Sequence, residues 1–361
     1  MKRFIALLLT FALLLFTAVP TLCFDIDPSQ EDTNTNIDRK TLSYITDVLP
    51  TYFSASKSAI DLDSIYITQG YNLVGGESTA QFYFIFSKSE YIGRLIVDVY
   101  NGDFCSNFMF DDNQTIAELV NTQTPFMLES TINESIALVW GNGYEVVRNP
   151  FDTELDAFQR LETTQLEDSN MLQMLQPQMT QLTFTADAIP QIDTSGQNVS
   201  LDIPLVANNY SDFGEGLCWT ASIAAISNYK KGTSYTAYSL YSALKEAHSG
   251  EPSGVPEWYK IAYDYLNISY SLNNGAPKWQ TIYNMLCTGR PIFLHVSRTS
   301  SAHAIVCKSF SGGVDYALFG FMDPNLSDYQ YITYRNSTLD MNSFVYTNGQ
   351  ATYNTIVHYI Y

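Results

Sequence analysis

The chain has 361 residues and a formal charge of −19, which argues against nucleic acid or an anionic membrane as a partner. Its five cysteines and four histidines include no CxxC pair and no HExxH, so a disulfide-framed scaffold and a zinc site are both disfavoured. The charge is uneven: residues 1–197 carry 26 acids against 9 bases, and residues 198–361 carry 11 against 9, as expected of two parts with different tasks.

Residues 1–23 have the layout of a secretory signal. Lys2 and Arg3 precede an apolar run that breaks at Pro20, and the acids Asp25 and Asp27 follow at once. Cleavage is expected after Thr21 or Cys23; bulky Leu22 makes a lipid anchor on Cys23 the weaker alternative. No later stretch is long and apolar enough to span a bilayer, so a secreted product without stable membrane insertion is expected. The scarcity of cysteine fits a Gram-positive bacterium. Residues 24–38, polar and acidic, read as a disordered leader.

Residues 39–152 read as a small α+β domain. Leu42, Ile45 and Leu49 predict a helix, and "AQFYFIFS", "IGRLIVDVY" and "FCSNFMF" predict strands. Asn101-Gly102 between the last two suits a tight hairpin, because both residues accept positive φ. "QTIAELVNT" predicts a helix, and "IALVWGNGYEVV" a second hairpin turning at Gly141–Gly143. This half has no nucleophile paired with a base, and Cys105 reads as a packing residue. Residues 153–197 are rich in Gln and Thr and read as a linker. No Lys or Arg lies between Arg160 and Lys230, so a trypsin-like cut there is not expected. In residues 198–361 the expected order is a strand, a helix from Cys218, two further helices, then a short helix feeding a strand-rich end.

The chemistry is expected in this second half. Gly214 and Gly216 form a turn before Cys218, and Ala221, Ile223, Ala224, Ala225 and Ile226 give a helix its packing face, ended by Lys230, Lys231 and Gly232. A thiol at such a helix start meets unpaired N–H groups and a dipole that favour thiolate. The competing reading is a small core residue on a buried helix. His303 opens the apolar strand "AHAIVCKSF", where it could take the thiol proton and return it to a leaving amine. Asp323 ends the next strand, "YALFGFMDP", and could hold the imidazole in the right tautomer, with Asn325 a second candidate orienter. His295 reads as a strand-edge residue, Cys287 and Cys307 as core thiols and Trp219 as packing or cleft lining. His248 and His358 have no partner in their local sequence.

"GLCWTASIAAISNY", "GRPIFLHV", "AHAIVCKSF" and "FMDPN" together resemble a papain-like cysteine peptidase over about residues 198–361. The closest likeness is to staphopains and to peptidases that trim double-glycine bacteriocin leaders. The resemblance implies an α+β domain with a helical first part, the cysteine on a helix start, and an antiparallel sheet after it. It implies Cys218 as nucleophile, His303 as base and Asp323 as orienting carboxylate, acting on proteins or peptides with no cofactor and no metal. It also implies a glutamine shortly before the cysteine to bind the oxyanion. No Gln lies between Gln197 and Cys218; "PLVANNY" puts Asn208 there, one methylene shorter, with Asn209 beside it. More loosely, the front half resembles an intramolecular prosegment, which implies a proenzyme. Transglutaminase-like acyl transfer, and a weakly active or non-catalytic binding or inhibitor module on a peptidase scaffold, remain open beside hydrolysis.

Overall fold

Asp38 starts the first helix, α1 (Arg39–Phe53), by accepting hydrogen bonds from the backbone N–H groups of Lys40 and Thr41, each at 3.1 Å. The computed structural model describes residues 37–54, 60–75, 79–130, 136–141, 143–147, 174–184, 197–208, 216–298, 301–312, 316–326, 329–335, 344–347 and 351–361. The expected signal and most of the expected leader lie outside these residues. The leader expectation ran to residue 38, but Ile37 is buried and Asp38 is a cap, so order begins earlier.

The front half follows the apolar runs. Its strands are β1 (Ile65–Thr68), β2 (Tyr71–Val74), β3 (Gln81–Ser87), β4 (Glu90–Tyr100) and β5 (Asp103–Met109), with helix α2 (Gln114–Asn121) after them. The hairpin of β4 and β5 turns at Asn101 and Gly102 with φ of 53° and 90°, the left-handed backbone that this dipeptide tolerates. Strands β6 (Met127–Ser130), β7 (Ile136–Trp140) and β8 (Gly143–Val147) extend the sheet, β6 pairing in parallel with β2. The residues expected as linker hold β9 (Met179–Gln181), which pairs with β1, and a bridge from Leu175 to Phe126. Leu182 is buried in the same core as Ile45, Leu49 and Tyr52. Residues 174–184 are therefore part of the folded front half. Burial of a few apolar side chains suffices to order them despite their polar composition.

The back half supplies β10 (Gln197–Ser200), α3 (Cys218–Lys231), α4 (Ala237–Ala247), α5 (Pro256–Tyr265), β11 (Leu272–Asn274) and α6 (Trp279–Cys287). Strands β12 (Ile292–Ser297), β13 (Ala302–Gly312), β14 (Tyr316–Met322), β15 (Gln330–Arg335), β16 (Tyr346–Thr347), β17 (Thr352–Tyr353) and β18 (Thr355–Ile360) follow. Thr236 caps α4 in a reciprocal box with Ser239, and Gly232, at φ 65°, ends α3 as expected. The architecture is α+β, with helices on a large, mainly antiparallel sheet.

That sheet runs β11-β18-β12-β13-β14-β15-β5-β4-β3-β2-β6-β7-β8. The junction is β15 against β5, with Gln330 opposite Met109 and Tyr331 opposite Phe108. Each strand hides the other's edge, so backbone groups that would otherwise face water are paired. From Asn36 to Tyr361 the chain forms one compact unit. His295 lies on β12 between β13 and β18, inside the sheet and not at its edge. Cys307 is buried, whereas Cys287 is exposed at the end of α6 and not a core thiol.

Candidate functional site

Helix α3 begins at Cys218 after Leu217, which provides no side-chain cap, so its first N–H groups are not satisfied by a capping oxygen. Its apolar face (Ala221, Ile223, Ala224, Ala225, Ile226) is buried against the sheet, which leaves Cys218 half-buried at the rim. One turn after Cys218, the Ser222 hydroxyl donates to the Ala304 carbonyl at 3.0 Å. Ala304 follows His303 on β13, so this bond sets the helix start over the histidine.

His303 is the second residue of β13, and Asp323 follows directly on β14. The two strands are antiparallel with Val306 opposite Met322, which brings the start of one to the end of the other. His303 Nε2 and Asp323 Oδ1 are 2.7 Å apart, with both side chains buried. The Cys218 sulfur is close enough to act on the charge of the same ring. With Nε2 on the carboxylate, Nδ1 is the nitrogen left for the thiol. Burial pulls the His303 proton affinity down, but the Asp323 carboxylate, its hydrogen bond and the Cys218 sulfur outweigh it and raise the pKa to about 10.

Asp323 is held on both oxygens. Oδ1 also accepts the Asn325 backbone N–H at 2.8 Å, and Oδ2 accepts the Tyr346 hydroxyl. The expected second orienter, Asn325, thus supports Asp323 and does not bind the imidazole itself in any described hydrogen bond. Its side-chain carbonyl accepts from Asn208 Nδ2 at 2.8 Å, and the Asn208 backbone N–H donates to the Pro324 carbonyl at 2.8 Å. Asn208 is 8% exposed, and its Oδ1 is buried without a hydrogen-bond partner. Asn209 lies outside the described residues.

The other histidines are placed elsewhere. Burial, then the charges of His358 and His303, lowers the His295 pKa to about 4, and its ring packs edge-on against Tyr259 and stacks on His358. His358 finds Asn274 Oδ1 at 3.0 Å, and His248 meets Trp258 edge-on. Trp219 is buried against Tyr259. Two residues at the site went unnoticed in the sequence: Tyr346, and Tyr353, whose ring stacks on His303 with centroids 5.4 Å apart. Their signal was "YTNGQATY", an Asn-Gly dipeptide between two aromatic residues.

Among the described residues no group of His, Cys, Asp and Glu is arranged to hold a metal, and no helix is long and apolar enough to cross a membrane. The sequence matches no protein-family model and none of the curated proteins with which it was compared.

Proposed function

We propose that this chain is a secreted cysteine peptidase that hydrolyses amide bonds of proteins or peptides. One observation carries the reading: a buried imidazole hydrogen-bonded to the Asp323 carboxylate, with the Cys218 sulfur at a helix start near enough to act on its charge. Secretion rests on residues 1–23 alone.

In this reading Cys218 gives its proton to His303, and the thiolate attacks the substrate carbonyl carbon. The electron pair of the C=O bond moves to oxygen, and it returns as the C–N bond breaks. His303 delivers its proton to the departing amine, and a thioester remains on Cys218. Water, losing a proton to His303, then releases the acid and restores the thiol. Asp323 keeps the ring oriented and stabilises its charged form throughout. The candidate oxyanion donors in this reading are the uncapped first N–H groups of α3 and the second N–H of the Asn208 amide, whose nitrogen already donates to Asn325.

Asn208→Ala is expected to lower kcat roughly a hundred- to a thousandfold with little change in KM, the loss typical of one oxyanion donor. Steady-state kinetics on a peptide amide check this, and an unchanged kcat removes Asn208 from the mechanism.

Selective alkylation tests the central reading. Burial and the Asp98 charge push the Cys105 thiol up to about 12, and burial alone raises Cys307 further, so both stay protonated near neutral pH. Cys287 is exposed and serves as an internal control. Limiting iodoacetamide at pH 7, followed by peptide mapping, should modify Cys218 ahead of Cys287, and a peptidyl epoxide should modify Cys218 alone. If Cys287 reacts first and no epoxide adduct forms, Cys218 is not an activated nucleophile.

A further inference from the structure

Asp323 is fully buried, and one of its carboxylate oxygens has the Tyr346 hydroxyl as its only described donor. Tyr346 is itself fully buried. Burial and the neighbouring Asp323 charge raise its pKa well above the ordinary value, so it remains a donor. Tyr346 sits on β16 opposite Tyr353 of β17, and Tyr353 covers the His303 ring. This ribbon has two residues on each strand, too few to hold its own shape in water.

The front half holds it. The Asn107 side chain of β5 donates to the Thr347 carbonyl at 2.8 Å. Thr352 donates to Asp98 Oδ2 at 2.5 Å, and Asn354 donates to the Tyr100 hydroxyl, both acceptors lying on β4. Asn107 is fully buried, an unfavourable place for an amide unless it serves a partner. Each anchor lies within one residue of Tyr346 or Tyr353.

We infer that Tyr346 is a positioning residue for Asp323 and that β4 and β5 clamp the ribbon that carries it. The front half is then a lasting part of the working site and not a detachable prosegment. This inference rests on the peptidase reading for its effect on rate, but its structural content can be measured without activity.

The test uses the full-length chain with Tyr346→Phe, Asn107→Ala, Thr352→Val and the Tyr346→Phe/Asn107→Ala pair. Thermal unfolding confirms that each variant is folded, and Thr352→Val is the mild alternative where Asn107→Ala is not. The strongly deshielded proton of the His303–Asp323 hydrogen bond is followed by NMR, and kcat and KM are measured in parallel. Tyr346→Phe removes a hydrogen bond to a charged group, so kcat should fall roughly ten- to a hundredfold with KM unchanged. Asn107→Ala and Thr352→Val should shift the same proton and lower kcat in the same way. The double variant should be no worse than Tyr346→Phe alone, because Asn107 acts through Tyr346. Additive losses, or an anchor variant that leaves both the proton and kcat at wild-type values, overturn the inference. A wild type that neither hydrolyses nor labels defeats the peptidase reading, while the NMR proton still decides whether the front half seats Asp323.

Discussion

Cys218→Ala is expected to abolish hydrolysis, with kcat falling roughly 10⁴- to 10⁶-fold, the loss seen when a member of a nucleophilic triad is removed. The fold should survive. Cys218 is half-buried at the first turn of α3, alanine is the best helix former, and the buried Leu217 and Trp219 on either side stay in place. The change in unfolding free energy should stay within about 1 kcal/mol. Peptide amide hydrolysis, epoxide labelling and chemical denaturation together check the result. Retained hydrolysis would assign the activity to another residue, whereas joint loss of activity and fold would leave a packing role for the thiol.

The second large effect concerns Asp323 and appears as a pH dependence of stability. In the folded chain the His303 pKa is raised from 6.5 to about 10, so its stabilisation is complete below pH 6.5. As pH rises towards about 10, the unfolded chain has released this proton and the folded one has not, and stability falls. The slope is best read in Cys218→Ala, where Asp323 alone holds the proton on His303. Losing the sulfur also removes its own upward push on the His303 pKa. The unfolding free energy of this variant should decrease above pH 6.5 by up to ~1.4 kcal/mol per pH unit until its own, lower His303 pKa is reached.

The groups around His303 leave the middle of this window clear. His295 and His358 have lowered pKa values, so they stay neutral when folded and, unfolded, finish losing their protons within about a unit above 6.5, where their effect opposes the slope. Buried Cys105 and Cys307 begin to add to the slope about a unit below their unfolded value of 9.0, so it is cleanest below about pH 8, and Tyr346 enters higher still. Adding Asp323→Asn to Cys218→Ala should flatten the slope and lower stability at pH 6.5 by about 3–5 kcal/mol, the penalty for breaking a buried charge pair. Urea denaturation at several pH values measures both. An equally steep slope without Asp323 would mean that another group carries the proton.

Much of the scaffold was readable because local chemistry and packing agree. The helix start at Cys218 and its end at Gly232 lie where the residues put them, and the apolar run from Ala304 to Cys307 lies within the strand it predicted. The approach of His303 to Asp323 could be anticipated because two consecutive antiparallel strands place the start of one beside the end of the other. Other features depend on distant partners. Tyr346 lies on a two-residue strand with no periodicity, and its role comes from a carboxylate 23 residues away together with anchors in the other half of the chain. Strand β9 is half exposed and polar, so composition alone suggested a linker. His295 alternates with apolar neighbours, a pattern shared by edge and central strands, and only the pairing of β18 decides between them.

The anchors of the Tyr346 ribbon join residues 240 and 254 positions apart in sequence. Such contacts close very long loops and reward the entropy of closure only once almost everything between them is in place. During synthesis the clamp on β4 and β5 emerges well before the ribbon of Tyr346–Tyr353. On this inference the Asp323 environment assembles only once residues 346–354 have been made, and a chain grown no further than Asp323 carries Cys218 and His303 without the ribbon that seats the carboxylate.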